Sequence, residues 1–173
     1  EGVVLLHLPG QGFYVRAEDH GLWVETNSTS LLSPGTQVKA VGRPTPGEFR
    51  PYFGNAIVQT GASGKRPEPR RLKPSQALRP DTDGDLIRIT AKLLDRLRLP
   101  DDHMLLLEAG NVTFTARCSA QSPKQEWPRL PNASWLDLTG VCSIKAAGAW
   151  RPANPIKWFL RQILFESWSR YSL

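Results

Sequence analysis

The sequence predicts an all-β chain made of two small closed sheets in tandem, each of five short strands. Three observations carry that expectation. Short apolar runs are separated by 15 prolines and 14 glycines, punctuation that suits barrels and sandwiches rather than helical bundles, which need long periodic segments. The second half repeats the strand pattern of the first. Each half also holds an alternating strand that ends in glycine, at Gly42 and at Gly140, where a small closed sheet must turn a corner.

In the first half, Gly2-Val3-Val4-Leu5-Leu6 is the opening run. Gly12-Phe13-Tyr14-Val15-Arg16 and Leu22-Trp23-Val24-Glu25 flank an acidic turn ending in Gly21 and read as a hairpin. Ser33-Pro34-Gly35 leads into a strand in which Val38 and Ala40 face one way and Gln37 and Lys39 the other. Asn55-Ala56-Ile57-Val58-Gln59 closes the set. The second half answers run for run: residues 86–94, then 103–108 and 112–117 about a turn at Ala109-Gly110-Asn111, then a strand to Gly140, then 156–161. Residues 34–42 align on residues 132–140 without a gap.

A long first strand, a meander of three and an excursion before the last describe the OB-fold, a small Greek-key barrel. The expected domains are an OB-like barrel over 1–60, a proline-rich basic linker over 61–80 with a short helix at 74–78, and a second OB-like barrel over 81–173. Residues 160–173 suit either an extension of the last strand or an amphipathic helix. With an apolar run at its start and no initiator methionine, the chain reads as cut from a longer one, its first strand shortened.

Twenty-two Lys and Arg against 16 Asp and Glu give a formal charge of +6. That field attracts nucleic acid, anionic lipid, acidic polysaccharide and small carboxylates or phosphates alike, and does not choose among them. Part of the excess, Lys65, Arg66, Arg70, Arg71 and Lys73, alternates with prolines as in a solvated connector, with a dedicated anion site as the alternative. Cys118 and Cys142 lack the partners of a zinc or redox motif and stand in step with apolar strand positions. Buried thiols are the plain reading, and a single bridge between them is open to a chain outside the cytoplasm. No run approaches the roughly 18 apolar residues of a membrane span, so direct membrane insertion of this segment is not expected.

Chemistry is sparse. His7, His20 and His103 have no ligand partners at useful spacing, and Asp81, Asp83 and Asp85 resemble a fragment of a calcium loop whose twelfth position, which needs a carboxylate, is Lys92. There is no phosphate-cradling loop and no nucleophile with an orienting base. The expectation is a non-enzyme with no cofactor and no metal. A binding surface is easier to build. If Phe13, Val15, Leu22 and Val24 face the core, Tyr14, Arg16 and Trp23 project together on the strands with which OB barrels meet ligands, and Arg50 and Tyr52 border them. The alternative is that these side chains pack against a neighbouring module or loop.

The combined pattern has a family likeness. The segments Gly12-Phe13-Tyr14-Val15-Arg16, Leu22-Trp23-Val24, Ser33-Pro34-Gly35, the strand to Gly42 and Gly47-Glu48-Phe49-Arg50-Pro51 belong to it, with Thr139-Gly140-Val141-Cys142 and Trp158-Phe159-Leu160-Arg161 in the second half. Together they resemble the paired OB-like modules in the extracytoplasmic sensor regions of bacterial two-component, often hybrid, sensor histidine kinases. The resemblance implies a periplasmic module that relays a signal to a cytoplasmic kinase, meets an unknown small ligand or a periplasmic protein, and dimerises through the parent kinase. It brings no ligand-binding motif, and the Lys124-Gln125-Glu126-Trp127-Pro128 excursion departs from it. The rival reading is a tandem OB pair binding single-stranded nucleic acid, and a third is a structural spacer with a rigid interface between its barrels.

Overall fold

The computed structural model describes residues 1–47, 49–76, 79–98, 102–119, 131–146 and 159–170, with only the backbone described at 102, 118, 119, 145, 146, 159–162 and 165–170. The expected all-β architecture is what it shows. Strands β1 (Gly2–Leu8), β2 (Gly12–Ala17), β3 (His20–Glu25), β4 (Thr36–Thr45) and β5 (Tyr52–Ser63) close a barrel in the order β1-β2-β3-β5-β4. All pairings are antiparallel except β3 with β5, which meet in parallel at Val24 and Phe53.

A short strand β6 (Arg70–Arg71) and a 3-10 turn (Pro80–Thr82) precede the second barrel, built from β7 (Leu86–Arg98), β8 (Asp102–Ala109), β9 (Val112–Ser119), β10 (Trp135–Ala146) and β11 (Phe159–Arg170). Their order, β7-β8-β9-β11-β10 and back to β7, repeats the first, with β9 and β11 again the parallel pair. Of the two readings of the C-terminal segment, the extended strand is the one observed. β5 runs on to Ser63, into the stretch read as linker, and β6 pairs with the start of β7. Residues 74–76 form a turn, with Gln76 N donating to Lys73 O at 2.9 Å, while 77 and 78 lie outside the described residues.

The duplication extends to the register. Val4 lies opposite Val15 in barrel 1 as Leu93 lies opposite Leu107 in barrel 2, and the next residue of each first strand, Leu5 or Leu94, is bulged out of the ladder. On the far side Val41 faces Ile57 and Arg43 faces Gly54, as Thr139 faces Ser167 and Val141 faces Leu164. Gly42 sits at that register shift. A Cβ there would stand 3.0 Å from both Ala56 Cβ and Gly54 O, which is why the corner is glycine.

Each barrel has its own core. Val4, Phe13, Val15, Val24, Val38 and Ala56 fill the first, with Leu22 packed against them. Ile87, Ile89, Leu93, Leu105, Leu107, Phe114, Leu136, Leu138, Cys142 and Ile163 fill the second. Fully burying one such large side chain is worth about 1.5–3 kcal/mol, so these interiors are the main stabilising term in each module.

Candidate functional site

A third apolar cluster belongs to neither interior. Leu5, next to the inward Val4 and so facing out of barrel 1, is fully buried with Leu86 and Val141 of barrel 2, and Leu6 and Tyr14 pack against the three. The bulge matters because strict alternation from the inward Val4 would leave Leu5 outside but turn Leu6 into the barrel, whereas the bulge holds both on the outer face as a paired apolar ridge.

Beside this ridge lies a polar junction centred on Asp85, which is only 3% exposed. Gly21 N donates to its Oδ1 at 3.0 Å and Arg70 Nη1 to its Oδ2 at 2.8 Å, while Arg50 Nη1 stands 3.8 Å from Oδ1. Arg50 also reaches back to Gly21 O at 3.5 Å and across to Asp81 O. A carboxylate this buried is tolerable only when its charge is met and its lone pairs are occupied, and both conditions hold here. The barrels approach so closely that a Cβ on Gly21 would fall 1.7 Å from Gly84 O. Gly84 itself has φ +83°, the left-handed region that favours glycine.

The acidic turn is stapled to β10 as firmly as to barrel 1. Gly84 N donates to Cys142 O at 2.8 Å, Cys142 N to Asp85 O at 2.9 Å, and Ile144 N to Asp83 Oδ1 at 2.9 Å. Asp83 and Asp85 are thus engaged by the protein itself, while the exposed Asp81 stands 3.5 Å from Arg79. Among the described residues no group of three His, Cys, Asp or Glu could hold a metal ion.

The structure takes Tyr14, Arg16 and Arg50 into contacts with barrel 2 and the linker. Tyr14 forms a hydrogen bond with the Ser143 side chain; burial pushes its phenol above the usual range, the Ser143 bond opposes that, and the nearby Asp83 adds to it. Its ring touches Trp23 at 4.8 Å between centroids, tilted by 54°. Both Nη atoms of Arg16 donate to Glu68 O at 3.3 Å. Tyr52 lies apart, at the start of β5 opposite Thr45. Three of the linker bases have partners too: Lys65 meets Glu68 at 2.9 Å, Arg70 meets Asp85, and Arg71 joins Arg88 on the buried Asp137, at 3.6 and 2.6 Å.

Cys142 is buried with Sγ 3.7 Å from the Thr82 hydroxyl. Cys118 lies on β9 opposite His103, with β11 between its strand and β10, and its side chain is outside the described residues. His7 Nδ1 accepts from Leu32 N at 3.4 Å, and burial holds its pKa below the usual value. Burial, and secondarily Arg98, does the same to His103.

Sequence reasoning passed over Asp85, Gly84, Gly21 and Arg70 as a group. The only local signal was the dense Asp81-Thr82-Asp83-Gly84-Asp85 turn, which reads as an ordinary loop until its partner 64 residues upstream is known.

No protein-family model and no curated protein matches the sequence. Among solved structures the chain is similar to a murine DNA-binding protein bound to double-stranded DNA, with a TM-score of 0.45 and 11% identity over 99% of this chain and 95% of that one. Among the described residues no helix is long and apolar enough to cross a membrane.

Proposed function

We propose that this chain is the non-catalytic, extracytoplasmic sensory and interaction region of a membrane-bound sensor histidine kinase, and that its two barrels work as one body. The observation that carries the reading is the Asp85 junction, a buried carboxylate that ties Gly21 of barrel 1 to the linker and to barrel 2. A module that relays a signal from its surface to an attached kinase needs such coupling, because a flexible joint would dissipate a displacement before it left the domain. The resemblance of segments such as Gly12–Arg16, Leu22–Val24 and Thr139–Cys142 to paired OB-like sensor modules supports the assignment to that class.

The occupied face argues against the rival. An OB barrel meets nucleic acid with its second and third strands, and in barrel 1 Tyr14 on that face lies against barrel 2. A small ligand or a periplasmic protein partner then contacts other surfaces, such as β7 and β8 of barrel 2, where Leu97 and Leu106 are 51% and 37% exposed. Nucleic-acid binding stays as the second reading on the strength of the +6 charge.

The test uses the full-length protein in membrane vesicles with labelled ATP. The proposal expects acid-labile, alkali-stable phosphohistidine whose rate of formation changes at least about threefold on Gly21→Val. Absence of phosphohistidine would overturn it, as would tight binding of oligonucleotides by this chain that falls steeply with salt.

A further inference from the structure

Three of the five asparagines begin the pattern Asn-x-Ser or Asn-x-Thr: Asn27-Ser28-Thr29, Asn111-Val112-Thr113 and Asn132-Ala133-Ser134. None has proline in the middle place, and all three asparagines are exposed. In an extracytoplasmic chain this pattern is the acceptor for N-linked glycosylation, and it belongs on a surface loop. A transferase must also draw the acceptor into its own groove, so the loop has to leave its present backbone bonds at little cost. That second condition separates the three.

Asn132 fails it. Ala133 N donates to Leu93 O and Ser134 O accepts from Leu93 N, both at 2.8 Å, while the Ser134 hydroxyl is spent on Pro131 O at 2.7 Å. Asn111 fails it too, being half of a two-residue turn between the paired residues Ala109 and Val112, with Thr113 in the ladder opposite Glu108. Asn27 meets it. The ladder of β2 with β3 ends at Gly12 and Glu25, and residues 27–31 form an exposed arch between two buried feet, Thr26 at 5% exposure and Leu32 at 8%. The arch is held by two long bonds, Ser28 N to Thr26 Oγ1 and Ser30 N to Ser28 Oγ, both at 3.3 Å. Among the described residues neither the Asn27 amide nor the Thr29 hydroxyl has a hydrogen-bond partner.

Glu25 adds a further mark. It stands two residues ahead of Asn27, where the acceptors of bacterial transferases carry an acidic residue, whereas Asn111 and Asn132 have Ala109 and Leu130 at that place. We infer that Asn27 is the acceptor for an N-linked oligosaccharide, with Thr29 as its hydroxyl residue and Glu25 as its acidic one. The co-reactant is an oligosaccharide carried on a polyprenyl diphosphate. The Asn27 amide nitrogen bonds to the anomeric carbon and the bond from that carbon to the phosphate oxygen breaks. The lipid diphosphate leaves with the electron pair, and the amide nitrogen gives one proton to a base of the transferase. The inference rests on the extracytoplasmic reading, because the transfer takes place on that side of the membrane. Gly21 and Glu25 lie near opposite ends of β3, roughly 13 Å apart at about 3.3 Å per residue, so the attachment point stands clear of the Asp85 junction.

The experiment incubates the folded chain with a purified bacterial oligosaccharyl transferase and a lipid-linked oligosaccharide, and reads intact mass. The expected result is a gain of one glycan that is absent in Asn27→Gln and in Thr29→Ala and is kept when Asn111→Gln and Asn132→Gln are combined. Glu25→Gln is expected to slow the transfer at least about tenfold, through loss of a charged contact. No gain on the folded chain, while a standard acceptor peptide in the same tube is modified, would overturn the inference, as would a gain that survives Asn27→Gln. The full-length protein, expressed in cells that hold the same pathway, is expected to carry the glycan at Asn27. A gain in vitro with none in those cells would support the acceptor site and count against the extracytoplasmic reading alone.

Discussion

The backbone amide of Gly21 donates to the carboxylate of Asp85 at 3.0 Å across the boundary between the two barrels. The contact demands a hydrogen at the Gly21 Cα, since any side chain would enter the Gly84 carbonyl. Gly21→Ala is therefore an overpacking change, expected to lower stability by about 1–3 kcal/mol. Urea unfolding measures that loss, and small-angle scattering of the folded variant is expected to show a larger radius of gyration as the barrels part.

Removing the carboxylate acts differently. Asp85→Ala leaves the Gly21 N–H without its acceptor, at about 1–3 kcal/mol for a buried donor, and takes the counter-charge from Arg70 and Arg50. Arg70→Ala is expected to cost under about 1 kcal/mol, because that side chain is 54% exposed and its pairing is screened by water. A double-mutant cycle in chemical denaturation checks both, with a coupling of about 0.5–1 kcal/mol expected between the two sites.

Tyr14 gives the junction an alkaline limit. Its pKa is raised above the ordinary 10.0 chiefly by burial, so the folded state holds the phenolic proton more tightly than the unfolded chain does. That stability is fully present below pH 10 and is lost as pH rises through the folded pKa. Tyr14→Phe should flatten this limb of a stability-against-pH curve relative to the parent, while lysine titration remains common to both.

At the acid end the sign reverses. Burial lowers the pKa of His7 below 6.5, so its contribution is present above pH 6.5 and is lost as pH falls through the folded value. His7→Gln keeps an acceptor for Leu32 N and removes the titration. The variant is expected to hold its melting temperature better than the parent between pH 6 and 4, measured by circular dichroism.

The strands were legible because alternation and glycine placement are local. Val38 and Ala40 against Gln37 and Lys39 announce a two-faced strand, and the gapless match of residues 34–42 to 132–140 is the register equivalence seen in space. That Tyr14 points out of its barrel was legible from the same alternation. What covers it was not, because Leu86, Val141 and Ser143 are distant in sequence and nothing in the strand pattern brings them together. The linker bases show the same limit. Proline spacing marks a connector, but only the fold brings Arg70 to Asp85 and Arg71 to Asp137.

In the proposed reading the two barrels form one body through the Asp85 junction. Residual dipolar couplings of backbone amides, fitted separately for residues 2–63 and 86–119, test it most directly. One alignment tensor, with matching magnitude and orientation for both sets, is the result predicted, and its division into two on Gly21→Val would trace the coupling to the junction. Two different tensors in the unaltered chain would contradict the account.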